Sequence, residues 1–316
     1  MTQASSSSAR DVWTTRRLLH WMGEAFTKAN LDSPRLSAEI LLAHVLDCDR
    51  LKLYVEADRP ASPLEREALR ELVKRALTHE PVQYLVSEAW FFGLRFHVDR
   101  RVLIPRPATE TIVEHVLQHA RSVAGGATSG AGLLIADICT GSGCIAIALL
   151  KNLKEARGVA TDISRDALEV ARSNAERHGV LDRLDLLQGD LLQPLHDHPA
   201  YRGPGTCAYV VSNPPYIPDD EWDAVLPNVK DHEPHLALRG GVDGLDLVKR
   251  VIAESPHFLR PGGELLVEVA DSRAKIAAEL AGSTRDESAP MLSNVRVLAD
   301  WEALPRVVVA ARPPTG

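Results

Sequence analysis

Short apolar runs alternate with amphipathic stretches along the chain from residue 133 onward. Strands are predicted at residues 133–137, 158–162, 184–188, 208–212 and 264–269. Between them, apolar side chains recur at helical spacing and predict helices at residues 144–152, 165–178 and 245–259. This alternation favours a mainly parallel sheet that helices cover on both faces. Two later apolar runs, 295–298 and 306–310, predict a final antiparallel strand pair.

The first part of the chain has a different pattern, with no strand signal before about residue 84. Apolar side chains recur near the 3.6-residue period after Pro34. Ser62, Pro63 and Glu65 have the spacing of a capping box with proline in the first turn, which predicts a second helix start. Residues 11–85 are therefore expected to form a small helical domain, and the Ser-rich residues 1–10 a disordered tail.

Residues 86–104 are predicted to form a β-hairpin linker. Their alternating apolar positions are Phe92, Leu94, Phe96 and Val98. The residues from Asp99 to Arg101 are expected to turn the chain into a second strand at 102–104. An amphipathic helix is predicted from Thr109 to Ala124, and residues 105–316 are assigned to the α/β domain.

Charge and composition exclude several classes of protein. The net charge of -7 argues against binding to nucleic acid through clustered Lys and Arg, so no direct nucleic-acid partner is expected. No apolar run approaches the roughly 18 residues of a membrane span, and the N-terminus lacks a signal-peptide pattern. The four cysteines form no C-x-x-C pair, and the twelve histidines show no metal-ligand spacing. The expectation is a cytoplasmic monomer without a metal site.

A glycine-rich turn joins the predicted strand 133–137 to the helix that follows it. The turn consists of Cys139, Thr140, Gly141, Ser142 and Gly143. Glycine lets the backbone pass close to a ligand, and the free N–H groups of the helix start can bind one. Because such turns also occur without a ligand, this turn is informative only together with the acidic residues near it.

Three acidic residues lie at the ends of three consecutive predicted strands. They are Asp137, Asp162 and Asp190. A carboxylate at Asp162 can accept both hydroxyls of a ribose, and one at Asp190 can accept from an adenine amino group. Each acid alone is equally well explained as a cap in a loop, but the three together favour an adenosyl ligand.

Asn213, Pro214, Pro215 and Tyr216 follow the predicted strand 208–212 directly. Tandem prolines fix the backbone and remove its N–H donors, which leaves the Asn213 side-chain oxygen and the Pro214 carbonyl as acceptors. Two acceptors can hold the two N–H bonds of a planar amino or carboxamide group, and Tyr216 is expected to provide a flat packing face. A plain Asx-Pro turn is the alternative, which the position beside an adenosyl pocket disfavours.

These motifs together resemble the protein-(glutamine-N5) methyltransferases that modify peptide chain release factors. The resemblance extends from about Trp13 to Pro313. Besides the glycine-rich turn and residues 213–216, it includes residues 81–85, 90–93, 104–110, 233–238 and 240–244. The Asn-Pro-Pro-Tyr tetrad is shared with adenine-N6 DNA methyltransferases, whereas the Ile-Pro-Arg-Pro segment at residues 104–107 is much more selective.

The resemblance implies a Rossmann-like, seven-stranded class I methyltransferase domain, preceded by the helical domain as a substrate-docking domain. The implied cofactor is S-adenosylmethionine, in a site lined by Cys139, Thr140, Gly141, Ser142, Gly143, Asp162 and Leu191. The strand-end argument adds Asp190, and Asn213 is assigned to the cofactor site as well as to the substrate site. The implied substrate is the glutamine of a Gly-Gly-Gln loop in release factors. It would bind Asn213, Pro214, Pro215 and Tyr216, with Asn213, Pro214 and Tyr216 as the catalytic residues.

Four positions depart from the family pattern. Cys139 stands where the family usually has Gly, and Leu191 where an aromatic residue often stacks on adenine. Ala270 and Ser272 replace a Gly and a Gln that often follow the fifth strand. None of these changes removes a chemical group that the reaction needs, but Leu191 is expected to weaken cofactor binding.

Other functions fit parts of the same pattern. A sister class methylates a glutamine of a large-subunit ribosomal protein, and its members resemble Val-Pro-Arg-Ser-Pro where this chain has Ile-Pro-Arg-Pro. An adenine-N6 nucleic-acid methyltransferase would need a basic target-reading region, which the net charge does not support. A non-catalytic binding module would bind the cofactor without turnover.

Overall fold

The computed structural model describes residues 12–123, 130–286 and 289–314. Two compact units divide the chain. The first holds residues up to 87 together with 227–232, and the second holds residues 88–226 and those from 233 onward. The expected disordered tail at 1–10 and most of the Gly- and Ser-rich loop near residue 128 lie outside the described residues.

The helices of the described chain, in order, are α1 (Thr15–Lys28), α2 (Pro34–Val45), α3 (Arg50–Val55), α4 (Pro63–Ala76), α5 (Val82–Leu85), α6 (Glu110–Val123), α7 (Cys144–Asn152), α8 (Arg165–Arg177), α9 (Gln193–Asp197), α10 (Pro227–Lys230), α11 (Asp246–Phe258) and α12 (Ala274–Ser283). The strands are β1 (Glu88–Phe91), β2 (Leu94–His97), β3 (Leu134–Ile138), β4 (Arg157–Asp162), β5 (Leu184–Gln188), β6 (Cys207–Ser212), β7 (Leu259–Glu268), β8 (Arg285–Asp286), β9 (Ala289–Pro290), β10 (Ser293–Ala299) and β11 (Pro305–Ala311).

The first unit packs α1 to α5 around an apolar core. Met22, Phe26, Leu41 and Leu42 are fully buried in it. The predicted capping box at the start of α4 is confirmed: the Ser62 hydroxyl accepts from the Glu65 backbone N–H, and the Glu65 carboxylate accepts from the Ser62 backbone N–H. Both otherwise unpaired N–H groups at this helix start are thereby satisfied.

The predicted hairpin exists, but its turn was placed wrongly. The chain reverses at Phe92 and Gly93, between β1 and β2, where both residues have positive φ angles of 49° and 72°. Two such residues match the right-handed twist of a two-residue hairpin. The predicted second strand at 102–104 is absent from the assigned strands. Instead, the Asp99 carboxylate accepts from the Arg101 backbone N–H at 3.0 Å and curls the chain there.

A seven-stranded sheet forms the second unit, as predicted, in the order β10-β11-β7-β6-β3-β4-β5. Strands β3 to β7 are parallel, and β11 pairs antiparallel with β7 and β10. Because β3 lies between β4 and β6, the order reverses beside it. In open α/β sheets, ligands bind at such a switch point, outside the carboxyl ends of the strands.

The last parallel strand begins earlier than predicted. Helix α11 ends at Phe258 and β7 starts at once with Leu259, which pairs with Cys207 of β6. The predicted stop at residues 261–263 therefore lies inside the strand. A shift in register between Cys207 and Tyr209 accommodates this segment, and helix α12 beyond it was not predicted.

One buried carboxylate holds helix α6 against the sheet. Glu264 of β7 lies 2.9 Å from His115 Nε2 and 3.3 Å from His119 Nδ1, both on α6, and 2.8 Å from an Arg296 guanidinium nitrogen on β10. Burial alone would raise the pKa of Glu264, but the hydrogen bonds from His115 and Arg296 outweigh it and lower the pKa to about 2. The carboxylate is thus ionised in the folded protein at neutral pH.

We expect Glu264→Gln to lower the free energy of unfolding by about 1–3 kcal/mol, because it leaves buried donors without their charged partner. The pKa of this group is depressed in the folded state, so the stabilisation is present above pH 4.5, its ordinary pKa, and falls as the pH drops toward about 2. Urea denaturation at pH 7 and at pH 3.5 measures both effects. The exposed Glu155→Gln is the matched control, and an equal loss in the two variants would contradict this account.

Candidate active site

The glycine-rich turn between β3 and α7 contains three residues in the left-handed backbone conformation. Cys139, Gly141 and Gly143 have φ angles of 62°, 55° and 81°. The positive φ of Gly143 favours glycine, and a Cβ added there would lie 2.9 Å from Ile147 Cδ1 and 3.4 Å from the Ala171 Cα. Burial raises the pKa of the Cys139 thiol well above its usual range, which keeps it protonated and unsuited to act as a nucleophile.

Asp137 stabilises this turn through two hydrogen bonds. Its Oδ2 accepts from the Thr140 hydroxyl at 2.7 Å and from the Ala146 backbone N–H at 3.1 Å. The side chain is fully buried, its Oδ1 has no hydrogen-bond partner, and burial raises its pKa to about 7. Asp137 therefore orders the turn rather than binding a ligand in the cavity, whose wall it does not join.

Asp162, at the end of β4, lies where the sequence predicts a ribose-binding acid. Its two oxygens accept from the backbone N–H groups of Gly141 and Ser164, each at 2.9 Å. Burial raises the pKa of this carboxyl above its ordinary value, and the backbone hydrogen bonds oppose that rise. Each carboxylate oxygen has a second lone pair, so Asp162 can order the turn and still accept from a ligand.

Asp190 lies in the same cavity wall but already has a partner. Arg250 donates to both of its oxygens, at 3.2 and 2.8 Å, in a bidentate ion pair. The next residue, Leu191, takes the left-handed conformation with φ 49°, and its carbonyl accepts from the Thr161 hydroxyl at 2.8 Å. The predicted contact of Asp190 with an adenine amino group would therefore share the carboxylate with Arg250.

A cavity of about 190 Å³ joins these residues to the Asn213 segment. Of the predicted site residues, those that line it are Cys139, Thr140, Gly141, Ser142, Asp162, Asp190, Leu191, Asn213 and Pro215. Three predicted residues do not line it: Gly143, Pro214 and Tyr216. Wall residues that sequence reasoning did not assign include Leu103, Pro105, Thr109, Pro234 and Leu236.

The two ends of the Asn213 amide differ in their surroundings. Its Nδ2 donates to the Thr109 hydroxyl at 3.1 Å. Its Oδ1 is buried and has no hydrogen-bond partner. A buried amide oxygen without a donor costs about 1–3 kcal/mol, and here it belongs to a residue of the cavity wall. The arrangement offers one fixed acceptor to an incoming N–H group.

Tyr216 has a different place from the one predicted. Its hydroxyl donates to Glu268 Oε1 at 3.2 Å, and burial raises its pKa well above the usual range. Glu268, at the end of β7, is fully buried. The expected flat face of Tyr216 is thus not part of the cavity wall, and the side chain instead fixes the loop after β6 from inside the protein.

An ion pair ties together two segments that form the outer wall of the cavity. The Arg106 guanidinium pairs with Glu233, and the same carboxylate accepts from the Ile104 backbone N–H at 3.1 Å. Pro105 and Pro234, beside these residues, line the cavity. The sequence signal for this contact existed only as two separate motifs, at 104–107 and 233–238, which nothing in the spacing joined.

Asn174 of α8 supports the site but was not predicted from the sequence. Its Oδ1 accepts from the His97 backbone N–H at 2.7 Å, and its Nδ2 donates to the carbonyls of His97 and Ser142, at 3.0 and 2.9 Å. A buried amide fully used in this way fixes the hairpin and the glycine-rich turn to the same helix.

Comparison with known proteins places the chain in a family. Residues 17–86 match the family model described as PrmC N-terminal domain, and residues 135–232 match that described as Methyltransferase domain. Release factor glutamine methyltransferase of Chlorobaculum tepidum is 42% identical over 295 residues, which cover 93% of this chain and 96% of that one. The chain belongs to the release factor glutamine methyltransferase family. The protein of that name from Geobacter sulfurreducens is 40% identical over 265 residues, which cover 84% of this chain and 87% of that one.

Membership of this family makes the chain a methyltransferase that uses S-adenosylmethionine. The fold is found more widely: the hMettl16 catalytic domain, solved in complex with MAT2A 3'UTR hairpin 6, superposes with a TM-score of 0.50 at 18% identity, covering 71% of this chain and 77% of that one. Across the described ranges, no helix has the length and apolar character needed to cross a membrane.

The residues present fit the cofactor. Gly141 lies open to space, with nothing within 4 Å of an added Cβ, and its neighbour Asp162 has lone pairs free for ribose hydroxyls. Cys139, Thr140 and Leu191 add wall contacts on either side. The turn at 139–143 and the ends of β4 and β5 could therefore hold the adenosyl part of the cofactor.

We expect Asp162→Ala to weaken S-adenosylmethionine binding tenfold or more, because each lost charge-assisted hydrogen bond is worth about 1.5–3 kcal/mol. The loss of the Gly141 anchor acts in the same direction. Isothermal titration calorimetry measures the affinity, and circular dichroism checks the fold. Asp166→Ala, an exposed acid on the next helix, is the matched control. Unchanged affinity in Asp162→Ala would overturn the assignment.

Proposed function

We propose that this protein transfers a methyl group from S-adenosylmethionine to the side-chain nitrogen (N5) of the glutamine in the Gly-Gly-Gln loop of peptide chain release factors. The observation that carries the proposal is that Asn213, in the cavity wall, has a side-chain oxygen without a hydrogen-bond partner. The nitrogen of the same amide donates to the Thr109 hydroxyl. The names of relatives that match nearly the whole chain support the same substrate. The protein would then act in translation termination in the cytoplasm.

A carboxamide nitrogen is a weak nucleophile because its lone pair is delocalised into the carbonyl. When bound, S-adenosylmethionine supplies a methyl group that its positive sulfonium already activates. Asn213 Oδ1 accepts one N–H bond of the substrate amide and so orients its nitrogen, whereas the Pro214 carbonyl, predicted as a second acceptor, belongs to a residue that does not line the cavity. Positioning of this kind contributes about 7–11 kcal/mol in favourable intramolecular reactions, and preorganised acceptors stabilise the developing positive charge. We assign no general base, and the nitrogen that gains the methyl group would release one of its protons to water.

The domain roles follow from the two units. We propose that residues 11–85 dock the body of the protein substrate, that 86–104 link the domains, and that 105–316 carry catalysis. A groove of about 690 Å³ in the helical unit, with Arg16, Tyr54 and Glu39 in its wall, supports a docking role. The net charge of -7 supports a protein partner rather than direct nucleic-acid binding. We further propose that the enzyme acts as a monomer.

The other candidate substrate is a glutamine of a large-subunit ribosomal protein. The comparisons do not favour it, since the relatives that match most of the chain are named for release factors. An adenine base is chemically compatible with the Asn-Pro-Pro-Tyr tetrad, but the relatives that match most of the chain are named for release factors.

We expect the pure enzyme with isotopically labelled S-adenosylmethionine to methylate an intact release factor at the Gly-Gly-Gln glutamine. Mass spectrometry of tryptic peptides locates the label. Ribosomal proteins and total RNA serve as parallel substrates, and a release factor with that glutamine changed to glutamate is the control. A free peptide of the loop should have a higher KM than the intact factor, because it lacks the surface that docks. Label on ribosomal protein or RNA alone would refute the proposal.

We expect Asn213→Ala to lower kcat by about 10²–10³-fold, the usual effect of removing a preorganised polar contact. Asn213→Asp keeps an acceptor but loses the Nδ2 donor to Thr109, so it should also be impaired, though less than alanine. Single-turnover rates and calorimetry separate turnover from cofactor affinity, which should change less than the rate in both variants. Wild-type turnover by Asn213→Ala would place the methyl acceptor elsewhere.

A further inference from the structure

Arg101 is the only lysine or arginine among the described residues that line the cavity. The carboxylic acids of the same wall are Asp162 and Asp190. S-adenosylmethionine carries a carboxylate of its own on the methionine part, and a carboxylate near two acids needs a cation or several N–H donors to compensate its charge. Arg101 is the side chain of the wall that can supply a positive charge.

The backbone N–H groups of the glycine-rich turn are the other possible partners of an anion, and three of them are already in use. The Thr140 N–H donates to the Thr161 carbonyl at 3.0 Å, and the Gly143 N–H donates to the Thr140 carbonyl at 2.9 Å. The Gly141 N–H donates to Asp162 at 2.9 Å. These bonds stay within the protein, so the turn shapes the wall but has fewer donors to offer a carboxylate than an anion-binding turn has.

Asp99 holds the Arg101 guanidinium in place. Asp99 Oδ2 accepts from Arg101 Nη2 at 2.6 Å, and Asp99 Oδ1 accepts both from Arg101 Nε at 2.9 Å and from the Arg101 backbone N–H at 3.0 Å. Arg101 Nη1 lies 3.6 Å from Glu169 Oε2, which is longer than a hydrogen bond, so this nitrogen can still donate to a second anion. Because Asp99 already orders the planar fork, a bound carboxylate would not have to order it.

We propose that Arg101 binds the methionine carboxylate of S-adenosylmethionine and so makes the site selective for the complete cofactor. If the ends of β4 and β5 hold the adenosyl part, the methionine part has to extend along a different part of the wall. Residues 101–105 belong to such a part. The inference concerns binding of the cofactor, and it does not depend on which protein receives the methyl group.

A cofactor that lacks only the carboxylate separates this role from a structural one. Decarboxylated S-adenosylmethionine keeps the adenosine, the sulfonium and the amine, and we expect the wild-type protein to bind it less tightly than S-adenosylmethionine. Arg101→Gln should weaken binding of S-adenosylmethionine by about 5- to 20-fold, because a charge-assisted pair is lost at a partly exposed position. The affinity for the decarboxylated form should stay the same within about twofold, since no carboxylate is present to lose its partner. Arg101→Lys keeps the charge without the fork and should give an intermediate affinity for S-adenosylmethionine.

Isothermal titration calorimetry measures both affinities, and circular dichroism verifies the fold of each variant. Arg165→Gln is the matched control, because Arg165 also pairs with Glu169, at 3.7 Å, but is not part of the cavity wall. It should leave both affinities unchanged. If Arg101→Gln weakens the two cofactors equally, its effect is structural; if it weakens neither, Arg101 forms only a solvated surface pair. Either result rules the proposal out. No methyl transfer is measured, so failure of the proposed protein substrate would leave these outcomes as they are.

Discussion

The site depends on one constraint of parallel sheets: the carboxyl ends of the strands all reach the same edge. Strand β3 lies between β4 and β6, so the turn at 139–143, Asp162 and Asn213 are brought to one place although they are far apart along the chain. The seven-stranded order places β7 next to β6, and Glu268 at the end of β7 accepts from the Tyr216 hydroxyl in the loop after β6. No single loop could assemble these groups.

A buried polar atom without a hydrogen-bond partner has a different meaning from one that is fully paired. Most buried polar groups in proteins have partners, and Glu264 illustrates the stabilising kind, since two histidines and an arginine surround it. Asn213 Oδ1 and one oxygen each of Asp137 and Glu268 lack partners. Of these three residues, only Asn213 lines the cavity, where a ligand can supply the donor that its oxygen lacks.

Much of the fold was predictable because the sheet strands are nearly continuous apolar runs and the helices have a clear period. Strand β5 and helix α7 begin and end at the predicted residues. The hairpin turn was not predictable in the same way, because Phe92 occupies a left-handed conformation that bulky residues rarely adopt. The predicted boundary between α11 and β7 was also wrong. The pairing of Leu259 with Cys207 sets this boundary, and the helical period of the sequence carries no information on strand pairing.

Most residues predicted for the site from their positions at strand ends line one cavity, except Gly143, Pro214 and Tyr216, but the contacts that orient them were not predicted. Thr109, Asn174 and Glu268 act through partners that are 104, 77 and 52 residues away along the chain. The Asp190–Arg250 pair, 60 residues apart, is of the same kind. A local sequence pattern does not report contacts over such distances. A residue that directly follows a parallel strand, in contrast, must lie at the carboxyl edge of the sheet.

The hairpin turn carries a consequence for how the substrate is received. The Phe92 backbone N–H donates to the Glu110 carboxylate at 2.7 Å, across 18 residues, and so closes a ring that contains the whole Ile-Pro-Arg-Pro segment. Within the ring, Arg106 is paired with Glu233 and two prolines restrict the backbone. The segment has therefore lost its conformational entropy during folding. A substrate that binds beside this segment would not have to order it, and more of the contact free energy would remain for holding the substrate in place.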